Sequence, residues 1–242
     1  MSSFKKLSFL ARLTFLLTVI GASSFAGEVA KDIEYARAEG TSLALDLYNP
    51  DHQTGPLIVY IHGGAWRSGS KKEMPLQDLV DFGCPVATVD YRLSTAAKFP
   101  AQIHDIKAAI RYLRGNSQKL GINAKQIVVS GSSAGGHLAA LVGVTNGHRE
   151  LEGDLGDFRN QSSDVQGIIS FFGASDLTTI LNQSTPHGLS VREPALDLLL
   201  GAQPDKVPDL ARLASPVFHV DKNDPPVLLF HGDQDPQMPI NQ

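Results

Sequence analysis

Residues 127–141 read IVVSGSSAGGHLAAL, and this stretch decides the fold. Its first three residues are an apolar run typical of a buried strand, and the residues from Gly136 onwards are typical of a helix. Ser133 stands between them, with Gly131 two positions before it and Gly135 two positions after it. A sharp strand-to-helix turn forces strained backbone angles, so the neighbours of its central residue must lack bulk. The pattern predicts a strand, a tight turn and a helix, with the Ser133 hydroxyl exposed at the turn.

A serine in this position is a candidate nucleophile. The helix N-terminus that follows it offers free backbone N–H groups to a developing oxyanion. Residues 62–66 (HGGAW) follow another apolar run and contain two adjacent glycines. Backbone that approaches a reacting oxygen closely cannot carry side chains, so the predicted oxyanion donors are the N–H groups of Gly63, Gly64 and Ala134. The alternative for residues 62–66 is a simple glycine turn, and His62 is interpreted as a residue that hydrogen-bonds this loop.

A serine nucleophile needs an imidazole base, and the imidazole needs a carboxylate that fixes its tautomer and stabilises its cation. Residues 231–239 (HGDQDPQMP) follow the last apolar run of the chain and contain two aspartates. Asp235 is the predicted acid, whereas Asp233 is expected to tie down its own turn. Asp176, which follows the apolar run 167–172, is the reserve candidate.

Short apolar runs alternate with helical patterns along the chain, which predicts an α/β fold with a doubly wound, mostly parallel sheet. Continuous apolar runs are typical of strands buried on both faces of such a sheet. The predicted strands are 43–48, 57–61, 86–89, 127–129, 167–172 and 227–230. Residues 103–113 place their apolar side chains on one helical face. The polar, glycine-containing segment 147–164 and the proline-containing segment 182–209 are expected over the C-terminal edge of the strands, where substrates bind in such sheets.

Length and composition limit the functional classes. The 242 residues fit one domain of the larger α/β kind. The net charge of −4 gives no electrostatic support for a nucleic-acid partner. The pair Lys71-Lys72 is interpreted as a solvated surface pair. Cys84 has no second cysteine to pair with and is interpreted as a small buried hydrophobe, and no paired-cysteine zinc pattern exists.

The N-terminus, residues 1–26, is predicted to be a secretory signal peptide. Three basic residues precede a short apolar stretch, and small residues at positions 24 and 26 suit cleavage ahead of Gly27. A membrane anchor is the alternative, but the apolar stretch has about half the length that spanning requires. The expected domain is therefore 27–242, exported to the periplasm or secreted, with no stable membrane insertion after cleavage.

Four segments carry a family resemblance: HGGAW at 62–66, VDYRLS at 89–94, GSSAGG at 131–136 and HGDQD at 231–235. Together they resemble the α/β-hydrolase superfamily. The similar branch is that of bacterial esterases and lipases grouped with bifunctional feruloyl and acetyl-xylan esterases, near the hormone-sensitive-lipase group. The likeness covers the chain from about residue 40 to its end.

The resemblance implies an α/β-hydrolase type of sheet and hydrolysis of carboxylic esters without a cofactor. Ser133 would be the nucleophile, Asp235 the acid, and Gly63, Gly64 and Ala134 the oxyanion donors. The implied substrate is a small-molecule or carbohydrate-linked ester.

The sequence departs from the family in one respect. The family order is serine, acid, histidine, but the last histidine here is His231, which precedes Asp235. We therefore expect that the triad histidine, the last strand and its helix are missing, and that the chain is an incomplete, poorly active form. His219 is the first suspect if activity is found, and His137 is expected to point into the fold. Open alternatives are a non-catalytic binding protein on the same fold and a serine peptidase or amidase.

Overall fold

The computed structural model describes residues 27–242, so the predicted signal peptide lies outside the described residues. The chain forms one seven-stranded sheet in the order β1-β2-β4-β3-β5-β6-β7. The strands are β1 (Gly27–Ala38), β2 (Thr41–Pro50), β3 (Leu57–Ile61), β4 (Val86–Val89), β5 (Ile127–Ser132), β6 (Gly167–Phe171) and β7 (Val227–Phe230). The helices are α1 (Gln77–Asp81), α2 (Ala101–Gly115), α3 (Ala134–Gly143), α4 (Arg149–Glu152), α5 (Ile180–Gln183), α6 (Pro186–Leu200) and α7 (Pro208–Leu213), with a 3₁₀ turn at Pro216–Phe218.

The sheet is mostly parallel, as predicted. β1 and β2 pair antiparallel, and β2 pairs antiparallel with β4. From β4 onwards every pairing is parallel. Because β3, β5, β6 and β7 run in one direction, the loops that follow them emerge at the same edge of the sheet. This edge holds the predicted oxyanion loop, Ser133, Asp176 and Asp235.

The core explains why the apolar runs form these strands. Every residue of β3 and β4 is buried, as expected for strands covered on both faces. The predicted helix at 103–113 is α2, and its apolar face is fully buried, at Ile103, Ile106, Ile110 and Leu113. All six predicted strands are present, and three of them have the predicted bounds.

Two elements differ from the sequence prediction. β1 was not predicted, and it pairs with β2 through two register shifts that interrupt the apolar alternation. Helix α6 lies in the proline-containing segment 182–209, for which no helix was predicted. Pro186 occupies the first turn of α6, where a missing N–H costs nothing, and Thr185 caps the helix by accepting from the Gly188 N–H at 3.0 Å.

The predicted location of residues 147–164 is wrong. Helix α3 starts at the C-terminal edge of the sheet and runs back along it, so the segment that follows α3 reaches the opposite edge, where β6 begins. The segment packs along α2, from His104, which contacts the Glu150 carbonyl at 3.0 Å, to Arg114, which donates to the Asp164 carbonyl at 2.8 Å. It does not line the cavity beside Ser133. The segment 182–209, by contrast, lies over the predicted edge.

The interpretation of Lys71 as a solvated residue is also wrong. Its side chain is buried, and its ammonium group contacts Asp46 at 2.6 Å and Asp32 at 2.7 Å. Lys72 is exposed, as expected. Cys84 is only half-buried, at the rim of the smaller apolar cluster on the Ile58 and Tyr60 face of β3.

The sheet ends on an exposed strand. β7 pairs with β6 alone, and the four side chains of β7 are 46–68% exposed. Its outer edge is unpaired within residues 27–242. No helix in the described part of the chain is both long and apolar enough to cross a bilayer.

Candidate active site

Ser133 lies between β5 and α3 in a strained backbone conformation. Its φ is 54° and its ψ is −118°, angles that residues with side chains rarely adopt. The Ser133 N–H is held by the Phe171 carbonyl at 2.9 Å, which ties the turn to the end of β6. No hydrogen-bond partner of the Ser133 hydroxyl is found among residues 27–242. This is the predicted elbow, with its side chain left unengaged at the C-terminal edge.

The glycines around Ser133 are there because the chain segments nearly touch. A Cβ on Gly135 would overlap the Ile61 carbonyl oxygen and lie 2.6 Å from the His62 carbonyl oxygen. A Cβ on Gly131 would overlap the Gly135 carbonyl. The absence of side chains lets the elbow pack directly against the end of β3. That contact places the loop after β3 beside the serine.

Residues 62–66 form a loop that its own backbone hydrogen bonds stabilise. Gly64, Ala65 and Trp66 have φ values of 98°, 51° and 59°, so three successive residues are left-handed. The Gly64 carbonyl accepts from the N–H groups of Arg67 and Ser68, both at 3.1 Å, which closes the turn. Within residues 27–242 no acceptor is found for the N–H groups of Gly63, Gly64 or Ala134. Unpaired donors at such a position are available to an oxyanion.

The neighbours of His137 fix its tautomer. The Trp66 indole can only donate, and it donates to His137 Nδ1 at 3.1 Å. His137 Nε2 therefore carries the proton and donates to the Ala214 carbonyl at 2.7 Å. Burial lowers the pKa of His137 to about 4. His137 is thus a neutral bridge between the loop at 62–66, α3 and the end of α7, and it points into the fold as predicted.

The segment 89–94 supports the same loop. The Tyr91 hydroxyl donates to the His62 carbonyl at 3.2 Å, and its ring stacks on the His62 ring with centroids 4.4 Å apart. The Ser94 N–H donates to the Trp66 carbonyl at 2.8 Å. His62 Nδ1 donates to the Gly63 carbonyl at 2.8 Å, and burial lowers the pKa of His62. His62 therefore has the structural role that the sequence indicated.

A cavity of about 320 Å³ opens beside Ser133. One wall is the loop after β3 with Gly64, Trp66 and Arg67, and another is α6 with Val191, Arg192 and Ala195. Gln237 and Met238 from the loop after β7 close it. Ala134 and Gly64 line this cavity together with Ser133, whereas Gly63 does not. The α6 wall was not predicted, because its prolines concealed the helix.

Asp235 lies in the loop that closes the cavity. Its Oδ1 accepts from the N–H groups of Gln237 and Met238, both at 2.8 Å, so Asp235, and not Asp233, holds the turn. Asp233 is exposed. The second oxygen of Asp235 lies 4.0 Å from His231 Nε2, a nitrogen that contacts the Met238 carbonyl at 2.9 Å. Asp235 thus retains one carboxylate oxygen for a further donor.

The reserve acid, Asp176, is engaged in its own turn. Its Oδ1 accepts from the Thr178 N–H at 2.9 Å and from the Thr178 hydroxyl at 2.5 Å. None of the residues that line the cavity belongs to this loop. The geometry therefore favours Asp235 over Asp176 as the carboxylate of the site.

Within residues 27–242 no histidine side chain hydrogen-bonds the Ser133 hydroxyl, and the only one beside Asp235 is that of His231, whose Nε2 contacts the Met238 carbonyl. His219 bonds the Leu213 carbonyl at 2.9 Å and packs edge-on against His148. His104 bonds the Glu150 carbonyl at 3.0 Å and is not among the residues that line the cavity. His52 and His187 are exposed. The described residues also contain no cluster of three histidine, cysteine or acidic side chains that could hold a metal ion.

The comparisons with known proteins agree with this geometry. The BD-FAE family model matches residues 45–242 of the chain. The chain belongs to the BD-FAE family of α/β hydrolases. The structure of a truncated form of a carbohydrate esterase from gut microbiota superposes with a TM-score of 0.82 at 34% identity, over 91% of this chain and 82% of that one. The doubly wound sheet is therefore of the α/β-hydrolase type.

Other relatives of this BD-FAE chain are also esterases. Esterase LipC of Mycobacterium tuberculosis is 32% identical over 77% of this chain and 46% of its own length. Thermogutta terrifontis esterase 2, phosphonylated by sarin, has a TM-score of 0.70 at 27% identity, over 89% of this chain and 75% of that one. The chain spans about half the length of the curated relatives that it matches.

Proposed function

We propose that this chain carries the nucleophile, the acid and the oxyanion donors of a serine carboxylic-ester hydrolase. The observation that carries the proposal is the placement of Ser133, in a left-handed turn with no partner for its hydroxyl, in one cavity with Gly64 and Ala134. The names of the relatives support the reaction class, because they are esterases. The carbohydrate esterase among them supports a small-molecule or carbohydrate-linked ester as the substrate.

The chemistry begins when the Ser133 oxygen attacks the ester carbonyl carbon. The carbonyl oxygen becomes an oxyanion, which the N–H groups of Gly64 and Ala134 stabilise, with Gly63 beside them. Collapse of the tetrahedral intermediate expels the alcohol and leaves an acyl group on Ser133. Water then hydrolyses this acyl-enzyme. Both halves require a base that takes a proton, first from the Ser133 hydroxyl and then from water.

Asp235 is proposed as the acid that orients this base. Its Oδ1 is fixed by two backbone N–H groups, so its Oδ2 has a defined direction from which to accept an imidazole N–H. No histidine of residues 27–242 occupies that position. We propose that these residues alone acylate and deacylate slowly, at the residual level of roughly 10³–10⁴ over water that the oxyanion hole and binding provide without a complete triad.

Covalent labelling tests the nucleophile directly. Incubation with an organophosphate such as paraoxon, followed by peptide mass spectrometry, should show slow phosphorylation at Ser133, and added imidazole should accelerate it by supplying the base. Ser133→Ala should abolish the label. Ser132→Ala is the matched control, because the adjacent Ser132 hydroxyl is engaged with the Tyr60 hydroxyl at 3.1 Å, and it should retain the label.

The absence of an imidazole at Ser133 within residues 27–242 also favours a second candidate, a non-catalytic binding protein on the same fold. If the chain is such a binding protein, ligands should bind in the cavity, but paraoxon should leave Ser133 unlabelled at every imidazole concentration. That result, with the protein folded, would refute the esterase proposal.

A further inference from the structure

Arg192 is a buried cation in the wall of the cavity beside Ser133. It lies on α6, and the residue is 3% exposed. Gly188, one turn earlier on the same helix, makes room for it, since a Cβ there would lie 2.7 Å from Arg192 Nη1. The helix therefore has a built site for this guanidinium group.

The guanidinium group lacks the partners that buried charges require. Arg192 Nε and Nη1 are buried and have no hydrogen-bond partner among residues 27–242. Nη2 contacts only the Met238 sulfur, at 3.4 Å, and a thioether is a weak acceptor. Burial lowers the pKa of Arg192, and the nearby Asp235 only opposes this effect, without forming an ion pair. An uncompensated buried charge is costly, so a partner from outside residues 27–242 is expected here.

The other charged side chain that lines the cavity is also positive. Arg67 also lines it, is half-buried and forms no ion pair among the described residues. No aspartate or glutamate of the described chain lines the cavity. Two arginines in a cavity whose lining contains no acidic side chain attract an anion, although Asp235 lies nearby and the whole chain has a net charge of −4.

We propose that the cavity selects esters that carry a carboxylate group, and that Arg192 binds this carboxylate. The inference rests on the proposed function and adds a substrate class to it. The carboxylate replaces the Met238 sulfur on Nη2 and reaches a second guanidinium nitrogen, in the forked geometry that arginine offers. Met238 lines the cavity as well, and its flexible side chain can move aside. Trp66, Val191 and Ala195 pack against the hydrocarbon part of the ligand.

The carboxylate can belong to the acyl part or to the alcohol part of the ester. Monomethyl glutarate represents the first and 4-acetoxybutanoate the second. Each has a neutral control of the same shape, the corresponding primary amide. Because the ligands are compared by binding and not by turnover, the comparison does not depend on the missing base.

Trp66 supplies the readout, since it is the only tryptophan of the chain and lines the cavity. In titrations followed by Trp66 fluorescence, or by calorimetry if the emission does not respond, at least one carboxylate should bind about tenfold more tightly than its amide. The preference should weaken as salt is added. Equal affinities of acid and amide for both esters, in the unaltered chain, would overturn the proposal.

Variants assign the preference to Arg192. Arg192→Met should abolish it, and Arg192→Lys should retain part of it, because the charge remains but the fork is lost. Arg149→Met, at an exposed position on α4 that does not line the cavity, is the control and should leave it unchanged. A preference that persists in Arg192→Met would contradict the role of Arg192. Failure of Ser133 labelling with the preference intact would refute only the esterase function.

Discussion

At the scale of single residues, the site consists of groups that their surroundings leave unpaired. Ser133 keeps a strained φ of 54° because the Phe171 carbonyl and the elbow glycines hold its backbone. Within residues 27–242, its hydroxyl and the N–H groups of Gly64 and Ala134 have no protein partner that a substrate would have to displace. The second oxygen of Asp235 has only His231 Nε2, at 4.0 Å. The packing around Ser133 holds its strained backbone and the unpaired N–H groups in place. Substitutions that disturb this packing should therefore lower the free energy of unfolding.

The elbow contact should be intolerant of a single methyl group. We expect Gly135→Ala to lower the free energy of unfolding by about 1–3 kcal/mol, because its Cβ would overlap the Ile61 carbonyl at a place where both segments are backbone. Gly232→Ala is the control, since nothing lies within 4 Å of a Cβ there, and it should stay within about 0.5 kcal/mol. Urea denaturation measures both, and equal stability of the two variants would contradict the close packing.

His137 should make stability depend on pH. Its pKa is about 4 in the folded protein and 6.5 for an unperturbed histidine, so the unfolded chain binds more protons between these values. Stability should therefore be complete above about pH 6.5 and fall by about 3 kcal/mol in all as the pH drops to about 4. We expect His137→Gln to be less stable at pH 7 and to lose less on acidification. Parallel pH profiles of the two proteins, from urea denaturation, would count against a neutral buried His137.

Much of the residue-level site could be predicted from the sequence, because its motifs are local. Ser133, Gly64, Ala134 and Asp235 each follow a strand within a few positions, and parallel strands bring such loops to one edge. Arg192 could not be found in this way. Its importance depends on the burial of its side chain against Met238, which lies 46 positions away.

At the scale of elements, the loop after β3 is held from two sides. The segment 89–94 binds residues 62–66, and Lys71 fastens the same loop to the outer strands. Sequence reasoning missed this role of Lys71 because its main partner, Asp46, alternates with apolar residues in β2, as a solvent-facing residue would. β2 lies between β1 and β4, and Asp46 is only 3% exposed.

Substitutions of the adjacent residues Lys71 and Lys72 test how much this ion pair contributes to stability. We expect Lys71→Ala to destabilise the protein by about 3–5 kcal/mol, because it leaves the buried Asp46 carboxylate without its cation. Lys72→Ala, one residue further on and exposed, should change stability by less than about 0.5 kcal/mol. Thermal or urea unfolding decides between them, and a tolerated Lys71→Ala would mean that the ion pair is dispensable.

At the scale of the whole molecule, the two edge strands of the sheet differ in polarity. β1 closes one end with a mostly polar or half-buried strand, whereas β7 leaves four large apolar side chains half-exposed at the other. An unpaired apolar edge is a template for strand addition. The sequence predicted β7 from its apolar run, whereas the order of the strands in the sheet was not predicted.

The exposed edge should control the solubility of residues 27–242. We expect this chain to aggregate at concentrations at which ordinary domains are monomeric, and Leu229→Lys, at a side chain 68% exposed, to reduce aggregation without lowering stability. Phe82→Lys is the control, because Phe82 is 77% exposed but lies away from the edge strand. Light scattering and size-exclusion chromatography measure the effect. Equal improvement by both substitutions would indicate general hydrophobicity and not strand addition.

The central claim is that Ser133 is a nucleophile that has its oxyanion donors but no base within residues 27–242. The most direct test is the mass of the protein during reaction with p-nitrophenyl acetate. Because p-nitrophenolate leaves without needing a proton, acylation depends less on the base than deacylation does. The acetyl group should therefore accumulate on Ser133, with little turnover, and added imidazole should release it. Rapid steady turnover that Ser133→Ala abolishes would mean that one of the eight histidines serves as the base. Acetylation of lysines alone, with Ser133 unmodified, would contradict the account altogether.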